Sequence, residues 1–375
     1  MPREKSIWIV GASARAAAAS VIRAGYAPCC IDLFADADLA TACPAVRIPL
    51  DAYPHGLFAG LDIHQPGPWM YTGGLENFPE HLDRPNLWGN GGDVVRAVRD
   101  PWRLFEELAG FAPPHLSDRP PPTNRWLVKP RRGSGGLGVR FWEPTEPWSE
   151  ESVLQEYIPG IPASAVFAAV DGQCIFLGAT RQLIGTAWLH VARPFQYAGS
   201  IGPLEALSPL VENLGQRLVE RFQLRGLFGV DFIIDIHGRI RPIEINPRVP
   251  ASLEILERIA GGALFAFHAA EFGRDDVPRV PGRAGLEFHG KAIYFAPSDL
   301  IVPLDGPWRS ALSFPLDDLV VPFADVPESG STIAKGDPVL TYFASGETMS
   351  ECEAALRRIA VDLDAVFTAA PDSSA

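Results

Sequence analysis

Cysteine is scarce and poorly placed to form a framework. The five cysteines (Cys29, Cys30, Cys43, Cys174, Cys352) are odd in number and form no C-x-x-C pair. That excludes a disulfide scaffold or structural zinc site and fits a reducing cytoplasm. The eight histidines are scattered without an H-x-x-x-H, so a helical zinc motif is missing too. No apolar run is long enough to span a bilayer. Met1–Ser6 leads straight into strand-like Ile7–Val10, without the apolar stretch of a signal peptide. A cytoplasmic protein off the membrane is expected. Positive charge is also in short supply. Lys and Arg total 32 against 45 Asp and Glu, a net charge of −13. Nucleic acid and anionic membrane are therefore poor partners.

What is present is globular. With 375 residues and 47% hydrophobic content, the chain has length for two or three packed units. The opening reads β-α-β: Ile7–Val10, an Ala-rich helix Arg15–Gly25, then Pro28–Asp32, a Rossmann-like start. Gly11-Ala-Ser-Ala-Arg-Ala has one glycine where a dinucleotide fingerprint wants three. A nicotinamide dehydrogenase built on this unit, with Asp32 on the ribose, is thus disfavoured. Asp100 is placed to cap a helix at Pro101–Ala109. Pro113–Pro122 reads as a linker. Val166–Val170 and Cys174–Arg181 form a hairpin about Asp171-Gly172, and Pro209–Phe222 and Leu253–Phe272 have helical spacing. A Pro/Gly/Arg stretch at 277–285 marks a boundary.

The most informative segment is a pair of alternating apolar runs, Gly229–Asp235 and Ile240–Asn246, around a turn at Ile236–Arg239. A hairpin folding about His237-Gly238 sets Asp231 opposite Glu244, with Cβ atoms roughly 5 Å apart. Period-two alternation adds Asn246 to the same face. Phe232, Ile234, Ile243 and Ile245 are expected on the other, buried face. Facing carboxylates repel unless a cation lies between them. Two carboxylates and an amide oxygen are hard ligands suited to Mg²⁺ that also holds phosphate oxygens. The plainer alternative is a surface hairpin with solvated acids.

Upstream, Lys129 ends a strand, Trp126–Lys129, and the loop Arg131-Arg-Gly-Ser-Gly-Gly-Leu-Gly138 follows. Gly133, Ser134, Gly135 and Gly136 let backbone N–H groups approach an anion, with the Lys129 ammonium beside them. No Gly-Lys-Ser/Thr follows, so this is not a P-loop. Gln155-Glu156-Tyr157-Ile158 can present a side chain and backbone groups to an adenine edge; by itself it is an amphipathic strand.

Lys129 with its glycine loop, Gln155–Ile158, and Asp231 thirteen positions before Glu244-Ile-Asn246-Pro-Arg248 resemble, in order and spacing, the ATP-grasp superfamily. Gly11–Arg15 and Asp32–Asp36 resemble its pre-ATP-grasp domain. The resemblance implies α/β and α+β architecture: a Rossmann-like N-terminal domain at 1–98, an ATP-grasp region at 99–276, and a mixed, β-rich C-terminal segment at 277–375. It implies ATP and Mg²⁺, or Mn²⁺ in its place. Lys129 would lie on the phosphates, Gln155, Glu156, Tyr157 and Ile158 at the adenine, and Asp231, Glu244 and Asn246 on the metal. Arg248 would stabilise an acyl phosphate; the competing reading is an ion pair with a metal-site acid.

The implied activity is a carboxylate–amine ligase, ADP-forming, acting on small molecules, with association of like copies left open. The alternative is a non-catalytic ATP-Mg sensor on the same fold. Three departures stand out. The early phosphate lysine is missing after Asp100, where Arg103 is the substitute at hand. The ribose-binding acid is missing near Pro162. Ala296 stands where the substrate arginine of biotin carboxylases would be, against bicarbonate chemistry. Arg181, Gln182, Tyr197, Ser200 and Ser252 are expected to border the acceptor pocket. Thr180–Leu183 and Gly199–Pro203 resemble ligases acting on pterin- or furan-type one-carbon carriers, which points to cofactor biosynthesis. Ser331–Thr341 looks like half of a small β-sandwich of structural role.

Overall fold

The computed structural model describes residues 5–64, 67–111, 114–117, 125–145, 149–205, 208–273 and 275–368. Most of the expected linker at 113–122, and the terminus past residue 368, lie outside them.

The first unit is an open parallel sheet. It comprises β1 (Ser6–Val10), α1 (Arg15–Arg23), β2 (Ala27–Asp32), α2 (Ala37–Ala42), β3 (Ala45–Arg47), α3 (His55–His64) and β4 (Trp69–Tyr71). The strand order is β3-β2-β1-β4. Ile7, Ile9 and Val10 alternate onto both covered faces and are fully buried. Asp32 does not wait for a ribose. Its carboxylate accepts the N–H groups of Ala14 (3.1 Å), Phe34 (3.1 Å) and Ala35 (2.6 Å), which fastens the β1–α1 turn to the end of β2.

Two abutting helices follow, α4 (Gly92–Arg99) and α5 (Pro101–Glu107). Asp100 caps the second as expected, accepting from Trp102 N and Arg103 N at 3.0 and 3.3 Å. A small sheet then forms from β5 (Leu116–Ser117), β6 (Trp126–Pro130), β7 (Arg140–Phe141) and β8 (Ser152–Glu156), in the order β5-β8-β6-β7.

The large sheet begins with the hairpin β9 (Gly160–Val170) and β10 (Gln173–Ile184), then β11 (Tyr197–Gly202), α6 (Ser208–Phe222), β12 (Gly226–Asp235) and β13 (Ile240–Asn246). The turn between β9 and β10 carries positive φ at both Asp171 and Gly172, the type I′ geometry that matches strand twist. α6 packs Val211, Leu214, Leu218 and Phe222 with Phe167 and Phe228. Each such fully buried side chain contributes about 1.5–3 kcal/mol.

The run expected as one helix from Leu253 to Phe272 is two, α7 (Leu253–Ala260) and α8 (Phe265–Gly273). Gly261 sits at φ +65° and closes α7 by donating its N–H to Glu257 O at 2.8 Å. A left-handed glycine at that point ends a helix rather than continuing it.

The remainder is β14 (Phe288–Phe295), β15 (Leu300–Ile301), β16 (Phe323–Ala324), β17 (Thr332–Ile333), β18 (Pro338–Gly346) and α9 (Met349–Thr368). β15 and β17 pair with each other, and β14, β18 and β16 extend the large sheet to β13-β12-β9-β10-β11-β14-β18-β16. Strands on either side of residue 277 therefore share one eight-stranded sheet. Among the described residues, no helix is long and apolar enough to cross a membrane.

Candidate active site

β12 and β13 pair with Asp231 opposite Glu244, the register the alternation predicts. The pairing shifts directly after Asp231, where Phe232 meets Pro242 and Ile243 is the extra residue. This bulge turns Ile243 toward the cleft beside Glu244, which corrects its expected place on the buried face. Phe232 and Ile245 are buried, as expected.

The hairpin forms one wall of a cleft of about 230 Å³ between the small and large sheets. The small sheet supplies Lys129, Gly135, Gly136 and Gln155–Ile158; the large sheet supplies Gln182, Tyr197, Ser200, Asp231, Glu244, Asn246 and Arg248, with Ser252 just beyond. Gly133 and Ser134 line an adjoining recess that also touches Lys129 and Glu244.

The glycine loop is folded down over this cleft. Gly135 O accepts from Tyr197 N at 3.1 Å. Gly136, at φ +76°, lies so close to the 195–196 backbone that a Cβ would fall 1.8 Å from Phe195 O. Only glycine fits there.

Electrostatics follow from this crowding. Asp231 accepts from Asn246 Nδ2 (3.0 Å) and Gln182 Nε2 (3.2 Å). Burial, and then the facing Glu244, still push its carboxyl up to about 6. Burial lowers the Lys129 ammonium, an effect that Glu244 and Asp231 oppose. Arg248 reaches across to Glu76, with Nη2 and Nε at 3.2 and 3.3 Å from Oε1, and donates to Asn246 Oδ1 at 3.1 Å. Its carboxylate partner thus comes from the first unit and not from Asp231 or Glu244. Among the described residues, the other oxygen of buried Glu76, Oε2, has no hydrogen-bond partner, and neither has buried Ser252 Oγ.

Two expected residues lie elsewhere. Arg103 stacks on Phe222, 5.7 Å from the ring centroid, away from the cleft. Arg181 neighbours Gln182 on a strand, so it faces the opposite side and pairs with Glu353 of α9. Residues not anticipated include Arg99, whose guanidinium meets Glu244 Oε1 at 3.1 Å. Asn77 accepts the Gly133 N–H at 3.0 Å, and Phe195 lines the cleft with Tyr157 and packs on Phe141. Arg99 stands directly before the Asp100 cap, but its partner lies 145 positions away and no local pattern joins them.

The oxygen set fits a divalent ion shared with phosphates: two carboxylates and an amide oxygen, beside cations that would meet the remaining negative charge. The rest of the lining, including Leu127, Val139, Ile158, Ile184 and Ile233, is an apolar sleeve of the kind that holds a flat ring.

Residues 98–252 match the family model of the ATP-grasp domain. That stretch of the chain carries an ATP-grasp domain. The whole chain also superposes on solved structures with this architecture. One is the biotin carboxylase of Campylobacter jejuni (TM-score 0.69, 14% identity, 96% of this chain and 91% of that one). Another is the L-amino acid ligase of Bacillus licheniformis (TM-score 0.68, 14% identity, 96% and 98%). A third is the N5-carboxyaminoimidazole synthetase of Staphylococcus aureus complexed with ADP (TM-score 0.68, 13% identity, 95% and 97%). At these identities the likeness is one of fold. Uncharacterized protein MJ0776 of Methanocaldococcus jannaschii is 25% identical over 278 residues, 69% of this chain and 64% of that protein. The match therefore spans less than two thirds of that relative's length.

Proposed function

We propose that this ATP-grasp protein is an ATP-dependent carboxylate–amine ligase that forms ADP. The observation that carries the reading is the juxtaposition of Asp231 and Glu244 in one cleft with Lys129, the glycine loop and Arg248. A substrate carboxylate attacks the γ-phosphorus of ATP, giving an acyl phosphate and ADP. An amine then attacks the acyl carbon and expels phosphate, leaving an amide.

In this reading Lys129 and the N–H groups of Ser134–Gly136 hold the phosphates, the Gly133 N–H being taken by Asn77. Asp231, Glu244 and Asn246 hold Mg²⁺, or Mn²⁺ in its place, which would neutralise phosphate charge. Tyr157, Ile158 and Phe195 sandwich the base. Arg248 steadies the acyl phosphate, a preorganised donor of the kind worth about 3–4 kcal/mol of barrier. That a Staphylococcus aureus protein of this fold has been solved complexed with ADP supports the nucleotide assignment.

The acceptor end is bordered by β10 and β11, where Gln182 pairs with Ser200 and Tyr197 Oη lies 2.8 Å from Ser200 Oγ. Together with the Thr180–Leu183 and Gly199–Pro203 segments, this aromatic and polar border supports attachment of an amino acid to a pterin- or furan-type one-carbon carrier.

The test is an ADP-release screen of the purified chain with paired carboxylates and amines, pterin and furan carriers among them. ADP formation that requires both members of one pair is expected. Tight ATP binding without ADP from any pair would return the sensor reading.

A further inference from the structure

Two facing carboxylates need a cation, and the protein supplies one of its own. Arg99 is the last residue of α4, directly before the Asp100 cap of α5, so its backbone is held by two abutting helices. One amino group, Nη1, lies 3.1 Å from Glu244 Oε1. The other, Nη2, donates to Asn77 Oδ1 at 3.0 Å and to Gly133 O at 2.7 Å. Asn77 Oδ1 also receives the Gly133 N–H at 3.0 Å. A single guanidinium, mostly buried at 13% exposure, thus joins the acidic hairpin, the first unit and the base of the glycine loop.

We propose that Arg99 stands in for the divalent ion at Glu244, so that the metal is admitted only together with the nucleotide. The inference rests on Asp231 and Glu244 being the metal-binding acids. A carboxylate oxygen engaged by a guanidinium is a poorer metal ligand, and a fixed cation beside the site repels a second one. Without nucleotide, a divalent ion must displace Arg99 from Glu244 and leave that guanidinium short of a counter-charge. With nucleotide, phosphate oxygens offer Arg99 a new anionic partner as Glu244 is released. The two ligands then favour each other, and the coupling must be reciprocal. The same exchange would loosen the hold on Gly133, linking the posture of the glycine loop to what the cleft contains.

The experiment measures Mn²⁺ binding to the full chain by electron paramagnetic resonance, with and without a non-hydrolysable ATP analogue. The wild type should bind Mn²⁺ weakly alone and much more tightly with the analogue. A cation near a carboxylate biases it by one to three decades. Arg99→Gln should therefore bind Mn²⁺ alone at least about tenfold more tightly, with a matching fall in the gain from the analogue. Arg99→Lys, which keeps charge but loses the fork, should fall between. It carries the test if Arg99→Gln does not fold. Unchanged or weaker Mn²⁺ binding in the folded variants overturns the proposal while leaving the ligase reading intact. A wild type that takes no Mn²⁺ even with the analogue removes both.

Discussion

Two buried polar clusters in this chain use the same residue types to opposite ends. At the junction of the first unit, α7 and the far end of the large sheet, Glu254 pairs with Arg15 and accepts from Lys291 at 3.1 Å, while Arg15 also meets Asp325 at 2.9 Å. Burial alone would raise the Glu254 carboxyl, but Arg15 and Lys291 overcome it and hold the group well below the usual carboxylate range. In the cleft, Asp231 is met by neutral donors, the Gln182 and Asn246 amides and the Ser164 hydroxyl, with a second acid opposite, and its carboxyl rises. Glu254 has its counter-charges inside the fold, whereas Asp231 faces a second acid across the hairpin, and that difference in partners sets the two clusters apart.

The largest effect on folding should come from breaking the saturated cluster. Glu254→Gln leaves Arg15 and Lys291 buried without their shared anion, which costs on the order of 3–5 kcal/mol. Urea unfolding should show the loss, while the protein that remains folded should bind nucleotide with unchanged affinity. A loss below about 1 kcal/mol would place this cluster with the tolerant one.

Asp231→Asn should do the reverse. ADP formation should fall about a thousandfold, equivalent to about 4 kcal/mol of barrier, yet metal-free stability at pH 7.5 should not fall. With a folded value of about 6 against an ordinary 3.8, the native state keeps a proton that the unfolded chain releases between those limits. Wild-type stability is thus full below about pH 4 and is lost as pH rises through 6. The variant escapes that loss. The amide it introduces also sets an N–H against the Gln182 and Asn246 donors. The net gain above pH 6 is therefore on the order of 1 kcal/mol, turning into a net loss below pH 4, where only the amide penalty remains. Thermal melts across pH 4–8 with chelator present check the sign; a variant less stable than wild type at pH 7.5 would contradict it.

The difference between the clusters also marks what the sequence could tell. Asp231 and Glu244 were legible because a short turn fixes their register, and Lys129 because its glycine loop follows at once. Arg99–Glu244 and Arg248–Glu76 join residues 145 and 172 positions apart. Such pairs are set by how whole units pack, and no local pattern announces them. Ile243 was misplaced because one bulge breaks strict alternation. Arg181 was a different kind of miss: next to Gln182 on a strand, it could not share Gln182's face, and alternation alone excludes it from the cleft.

The smallest effect belongs to the arginine that spacing suggested and packing did not supply. Arg103 was the natural substitute for a missing early lysine, being the first cation after Asp100. The cap at Asp100 starts a new helix there, and the side chain leaves along Phe222 instead of turning toward the glycine loop. An exposed stacked guanidinium contributes about 0.5–1 kcal/mol. Arg103→Ala should therefore cost no more than that in urea unfolding and leave the affinity for an ATP analogue within twofold of wild type. Arg99→Ala, four residues earlier, should weaken the analogue at least tenfold, the scale expected when a charged contact worth about 1.4 kcal/mol or more is lost. Calorimetric titration of both variants settles which of the two is the cation of the nucleotide site, and equal losses would mean that the cleft draws on charge from both helices.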